Sequence, residues 1–307
     1  MRDERLTLLP SGSNKVYLVE SLEPEGLTKA VCREFGAKGI VNAENERVIA
    51  KRLGDLGIGP KTYFQTEAYR VEEYFPGRPL ERTEVRKPAL IPLICAALHS
   101  FHALNLSTCL PVIPTALRNA QTWRDSCLSV PDHLRFLLSE ELYARFLSLF
   151  PVSAPLFFCH QDCYCLNFLY EPESEALRLL DYEYAGYSCR GMDFASVLNG
   201  LLYDYQSPDP PYLTYHPSDR CNDELLTQYI KSYGGDAALW TEARLCLACD
   251  HYIWAIWALA MAGQGRIGFD YAAYAGVRRG DFLQEAETIE RLGGPEGLQS
   301  IARTLLC

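Results

Sequence analysis

The pattern of apolar residues changes character at Pro76-Gly77-Arg78-Pro79, and this change constrains the fold of the 307 residues more than any other feature. Before it, Leu6, Leu8 and Leu9, then Val16 to Val19, then Ala30 to Phe35 form short apolar or β-branched runs, parted by Pro10-Ser11-Gly12-Ser13 and Glu23-Pro24-Glu25-Gly26. One helix is predicted among these strands, over Asn42 to Leu56, where Val48, Ile49, Leu53 and Leu56 recur at helical spacing before Gly57 and Gly59-Pro60 end it. Tyr63-Phe64 and Tyr69 to Phe75 read as two more strands. After the break, Pro88 to Leu104, Glu140 to Phe150 and Asn222 to Tyr233 carry helical periodicity. Three short apolar runs interrupt them: Leu156 to Cys159, Asn167 to Tyr170 and Leu177 to Leu180. The pattern predicts an α+β chain of two lobes, a small β-rich lobe over 1–76 and a larger, mainly helical lobe over 77–307, with a cleft between them.

Composition narrows the function. Hydrophobic residues at 48% and charged residues at 22% place the chain among globular proteins and away from disorder. A net charge of −10 leaves no overall excess of the cations that neutralise nucleic-acid phosphates. The longest uncharged apolar run, the twelve residues Tyr252 to Gly263, falls short of the roughly 20 needed to cross a bilayer, so no membrane span is expected. The start Met1-Arg2-Asp3-Glu4-Arg5 lacks the apolar stretch of a secretory signal, which predicts a cytoplasmic chain with reduced thiols. Its twelve cysteines are scattered. Cys246-x-x-Cys249 lies in a helical stretch without a second ligand pair and reads as buried thiols, and Cys163-x-Cys165 shows no resolving pattern.

Chemistry concentrates between the first two inner strands, where His160-Gln161-Asp162 is followed by Asn167 in an H-x-D-x-x-x-x-N spacing. This is the spacing of a kinase catalytic loop, in which the aspartate positions the attacking hydroxyl and the asparagine holds magnesium. The third inner strand runs into Asp181, a second carboxylate 19 residues after Asp162, and a short hairpin would carry Asp162, Asn167 and Asp181 to one edge. A carboxylate, an amide and phosphate oxygens suit a hard cation.

With those residues on the page, the chain resembles the choline and ethanolamine kinases and their bacterial relatives. Asp181-Tyr182-Glu183-Tyr184-Ala185-Gly186-Tyr187 followed by Arg190-Gly191-Met192-Asp193 is similar to that family's signature. The resemblance implies a protein-kinase-like, aminoglycoside-phosphotransferase-like fold, ATP and Mg2+ as cofactors, and a role in phospholipid metabolism. It makes Ser11-Gly12-Ser13-Asn14-Lys15 a phosphate loop, with Ser13, Asn14 and Lys15 on ATP. It makes Arg33 the stand-in for the ATP-binding lysine of the third strand, with Glu46 as its ion-pair partner. Glu72-Glu73-Tyr74-Phe75-Pro76-Gly77 resembles the hinge, placing Glu73, Tyr74 and Phe75 beside adenine.

The last third offers an acceptor site. Trp254 and Trp257 stand three apart, and Tyr271 and Tyr274 repeat that spacing. Aromatic faces attract ammonium groups. The resemblance makes Trp254, Trp257 and Tyr274 parts of a choline pocket, joined by Asp162, Glu183 and Tyr205, whereas the acidic position that the family carries just before Tyr203-Asp204-Tyr205 is Gly200 here. The expected activity is transfer of the ATP γ-phosphate to the hydroxyl of choline or a related amino alcohol such as ethanolamine. The same fold acting on an aminoglycoside, thiamine or a sugar, and a non-catalytic kinase-like binding protein, are the alternatives. Whether the chain forms a homodimer is open at this stage.

Overall fold

The computed structural model describes residues 4–9, 15–21, 28–35, 42–127, 130, 132–207, 212–262 and 269–306. The chain divides into two compact units, residues 1–78 with 169–184, and residues 79–168 with 185–307. Residues 169–184, which the sequence pattern assigned to the second lobe, thus cluster with the first. Their reason is local: the strands Phe168–Glu171 and Ala176–Leu179 pair as a hairpin, and Gly77, at φ +131°, passes so close that a Cβ there would lie 2.7 Å from the Tyr170 carbonyl oxygen. Only glycine tolerates both that approach and that dihedral.

The first unit is built on a five-stranded antiparallel sheet in the order β1 (Glu4–Leu9), β2 (Lys15–Ser21), β3 (Lys29–Glu34), β5 (Tyr69–Glu73), β4 (Thr62–Gln65). Register alternates side chains across the faces, so Arg33 of β3 lies opposite Arg70 of β5. Helix α1 (Ala43–Asp55) starts where the Asn42 side chain accepts the Asn45 N–H and stops before Gly57, at φ +70°. Its buried face presents Glu46, Ile49, Ala50 and Leu53.

The second unit is helical: α2 (Ile91–His102), α3 (Thr115–Ser126), α4 (Glu140–Leu149), α5 (Gly191–Asn199), α6 (Asp223–Tyr233), α7 (Ala237–Ala262), α8 (Tyr271–Arg291) and α9 (Gly294–Leu306). Helix α7 is the spine, and α3, α4, α5, α6, α8 and α9 all pack on it. By length and composition it is apolar enough to cross a membrane, but it is buried on nearly every side, which is the condition of a core helix. Its thiols follow the bland reading: Cys246 and Cys249 are free and fully buried, and Cys246 Sγ lies 3.6 Å from Cys189 Sγ. The short antiparallel pair Phe157–Cys159 with Gly186–Ser188 sets the end of the first strand beside the start of the second, with Cys159 opposite Gly186.

Candidate active site

The loop after strand Phe157–Cys159 is pinned by one buried carboxylate. Asp193, in the first turn of α5 and fully buried, accepts the backbone N–H of His160 at 2.9 Å on Oδ2 and that of Gln161 at 2.7 Å on Oδ1. Gln161 is thereby held at φ +66°, a left-handed conformation that a non-glycine residue keeps only where its surroundings impose it. Burial alone would raise the Asp193 pKa, but the hydrogen bond and charge of His102 and the donated backbone N–H outweigh it and hold the carboxyl below its ordinary value. The His102 ring contributes Nε2 at 3.1 Å and places Nδ1 2.8 Å from the Tyr233 hydroxyl.

That pinned loop brings Asp162 and Asn167 together. Asn167 Nδ2 donates to the Asp162 backbone oxygen at 2.8 Å and to its Oδ2 at 3.0 Å, while the Asp162 N–H donates to His160 Nδ1 at 3.2 Å. With its N–H groups spent on Asp162, the Asn167 amide has only Oδ1 left to give. Cys163 and Cys165 between them are buried, and burial pushes the Cys165 thiol up to about 11, so both are poor nucleophiles.

In the first unit, a chain of charges runs across β3, β5 and α1. Arg33 Nη1 lies 3.1 Å from Asp181 Oδ1, and Arg33 Nε is 3.7 Å from Glu72. Arg70 Nε donates to Glu72 at 2.7 Å and its Nη1 to Glu46 at 3.1 Å. The expected Arg33–Glu46 ion pair is therefore replaced: Glu46 takes Arg70 as its direct partner, because β5 presents a second buried arginine beside α1. Arg33 still feels Glu46 at longer range. Burial would lower the Arg33 pKa, but Asp181, Glu72, Glu46 and Glu183 together hold it above the ordinary value. Asp181 sits at φ +71°, and although Arg33 is near, its Oδ1 is buried without a hydrogen bond.

The remaining residues expected on the nucleotide are placed as follows. Lys15 opens β2 and is exposed, whereas Ser13 and Asn14 lie outside the described residues. Glu73 exchanges backbone and side-chain hydrogen bonds with Lys61, accepting the Lys61 N–H on Oε2 at 3.2 Å. Tyr74 has the Lys29 ammonium 5.3 Å from its ring centroid, and Phe75 has the Arg178 guanidinium at 4.4 Å.

Of the residues expected on the acceptor, Asp162, Tyr205, Trp254, Trp257 and Tyr274 belong to the second unit and Glu183 to the first. Trp254 and Trp257 meet edge to face with centroids 5.2 Å apart, Trp257 meets Tyr274 at 6.5 Å, and Tyr205 meets Tyr274 at 5.9 Å. Burial pushes the Tyr205 hydroxyl's pKa up, and the negative charge of Asp162 adds to that, so the carboxylate and this ring cluster are within electrostatic reach. Two members were not expected. Arg278, 4% exposed, lies on α8 one turn after Tyr274, a signal that i, i+4 spacing carried. Tyr164 sits inside the H-x-D-x-x-x-x-N spacing, where it reads as a spacer, yet its ring packs 4.8 Å from that of Tyr205.

The family model for choline/ethanolamine kinase matches residues 7–282. The human protein named choline/ethanolamine kinase is 26% identical over 285 residues, covering 84% of this chain and 72% of its own. A choline kinase from Cryptosporidium parvum Iowa II superposes with a TM-score of 0.81 at 19% identity, covering 97% of this chain and 92% of that one. An ADP-bound aminoglycoside phosphotransferase superposes at 0.60 with 14% identity, covering 96% and 94%. The fold is thus the one shared by these small-molecule kinases. With the family model spanning most of the chain, the protein belongs to the choline/ethanolamine kinase family.

Proposed function

We propose that this protein transfers the γ-phosphoryl group of ATP to the hydroxyl of a small amino alcohol, choline or ethanolamine. The observation that carries the reading is the Asp162–Asn167 pair, pinned through Asp193 and within electrostatic reach of a ring cluster suited to an ammonium group. Asp162 orients the acceptor hydroxyl and takes its proton as the new O–P bond forms and the bond from the γ-phosphorus to the bridging oxygen breaks, releasing ADP. Arg33, held charged among carboxylates, pairs with the nucleotide phosphates. Trp254, Trp257, Tyr205 and Tyr274 receive the ammonium end, and Glu183 supports the site. Lys15, Ser13 and Asn14 bind phosphate, and Glu73, Tyr74 and Phe75 the adenine.

Magnesium fits the donors. It takes oxygen ligands, Asp181 Oδ1 is buried without a hydrogen bond, and Asn167 has only its amide oxygen left to give. Asp181 and Asn167 are proposed as its ligands, and the ion would offset charge on the phosphate oxygens. The test is ADP release across choline, ethanolamine, an aminoglycoside, thiamine and glucose. Turnover with the first two and none with the others is expected. Turnover confined to the others would overturn the acceptor, and ATP binding that ignores magnesium would overturn the metal ligands.

A further inference from the structure

Asp193 holds the loop that carries Asp162, and its own orientation is set from α2. Its Oδ2 takes two donors, the His160 N–H at 2.9 Å and His102 Nε2 at 3.1 Å, while Oδ1 takes the Gln161 N–H at 2.7 Å. The next amide along, that of Asp162, is spent on His160 Nδ1. Three successive N–H groups of the loop are thus fixed, two of them by a carboxylate that a histidine steadies. The bond between them is enclosed: the side chains of His102 and Asp193 are 2% and 0% exposed, so solvent offers little alternative partner. The imidazole is walled by Phe157, Phe194 and Tyr233, at centroid distances of 5.6 to 6.4 Å.

A neutral imidazole has two tautomers. Only the one with hydrogen on Nε2 donates to Asp193, while the other turns a lone pair toward the carboxylate. The choice falls to Tyr233 of α6, whose hydroxyl lies 2.8 Å from His102 Nδ1. Arg190, in turn, settles which way that hydroxyl points. Its guanidinium stands 4.4 Å from the Phe157 ring centroid and 5.8 Å from that of Tyr233. Burial raises the Tyr233 pKa, and the hydrogen bond and charge of Arg190 act against that rise. A guanidinium has no acceptor, so it meets the hydroxyl oxygen and leaves the O–H for Nδ1. Resting on Asp162 as the base, as proposed above, we infer that His102 and Tyr233 are positioning residues for phosphoryl transfer: Tyr233 holds His102 in the Nε2–H tautomer, and His102 holds the Asp193 carboxylate against the loop that carries Asp162.

The experiment reads kcat and both KM values with ATP, magnesium and choline or ethanolamine, beside amide hydrogen exchange at His160 and Gln161 by NMR. His102→Leu should lower kcat about three- to tenfold, the net worth of one hydrogen bond, leave both KM values near wild type, and speed exchange at both amides. His102→Gln, whose side-chain NH2 donates as Nε2 does, should recover most of the loss. Tyr233→Phe should lower kcat in the wild-type background and add nothing beside His102→Gln, because glutamine has no tautomer to choose. An equal loss in the two backgrounds would mark Tyr233 as packing alone and overturn the tautomer device. Wild-type kcat in His102→Leu, or a loss confined to KM, would overturn the positioning role. If His102→Leu does not fold, the comparison of Tyr233→Phe with and without His102→Gln decides by the same criterion. Absence of turnover with either alcohol in the wild-type protein would overturn the kinase reading instead; exchange at His160 and Gln161 then decides the positioning role, and rates unchanged by His102→Leu and Tyr233→Phe would overturn it.

Discussion

The two units handle charge in opposite ways. Across β3, β5 and α1, two arginines and several carboxylates alternate, so that Arg33 and Arg70 are answered by Asp181, Glu72 and Glu46 at 2.7 to 3.7 Å. Around α7 and α8, Arg278 is instead wrapped in Tyr203 and Tyr274, with Asp250 as its ion-pair partner. In the first arrangement each guanidinium is answered by neighbouring carboxylates. The second sets its cation over the Tyr203 and Tyr274 rings and on the Tyr274 hydroxyl. Buried charge is costly in both, and the contrast shows two solutions: mutual neutralisation of ions, or an ion shared among π-systems.

The sharpest test starts in the second unit, at Asp162. Asp162→Ala should cut kcat by about 10²–10⁴-fold, the usual worth of a positioned base, while the Kd for nucleotide stays within a fewfold; steady-state kinetics with equilibrium nucleotide binding checks both. Next in size is Arg278→Ala, which strands the Asp250 carboxylate in a site with side-chain exposures of 5% and 1% and should cost about 3–5 kcal/mol of stability. Chemical denaturation measures it, and adding Asp250→Asn should recover part of the loss. If the aromatic wrapping rather than the ion pair holds Arg278, the second change recovers nothing.

Arg33→Ala tests the first unit. The loss of a charge-assisted phosphate contact should raise KM for ATP by about 10–100-fold, with the acceptor KM little changed. The smallest expected effect concerns pH. Asp193 has a folded pKa below that of the unfolded chain, so the stability it contributes is complete above the ordinary carboxylate value of about 3.9 and is lost as pH falls through the lower folded value. Replacing it by Asn should flatten the acid limb of a stability-versus-pH curve and, by releasing the His160 and Gln161 N–H groups from a charge, lower kcat without moving either KM.

Legibility in the sequence was uneven for physical reasons. Strands of the first unit alternate and are punctuated by proline and glycine, and α1 appears one residue inside its predicted ends. Helices with a wet face, such as α4 and α6, were equally plain. Helices α5 and α7 were not readable as whole elements, because a helix buried all round has no polar stripe for periodicity to detect. The proximity of Asp162 and Asn167 was legible because the spacing of their loop is local in sequence, and the structure closes them to 3.0 Å. Glu46 was given the wrong arginine because two arginines on neighbouring strands compete for it, and strand register is not written in either strand alone.

By itself the order of residues determined what is local or periodic: a β-rich beginning, a helical remainder, the loop that joins Asp162 to Asn167 and a pair of tryptophans on one helix. Only the tertiary structure decided which buried ions pair, that residues 169–184 join the first unit, and that Arg278 and Tyr164 reach the same ring cluster from different elements. Short-range spacing survives projection onto one dimension. Partner choice among distant groups depends on strand register, helix rotation and the cost of leaving a buried polar atom unmatched, and these exist only once the chain is packed.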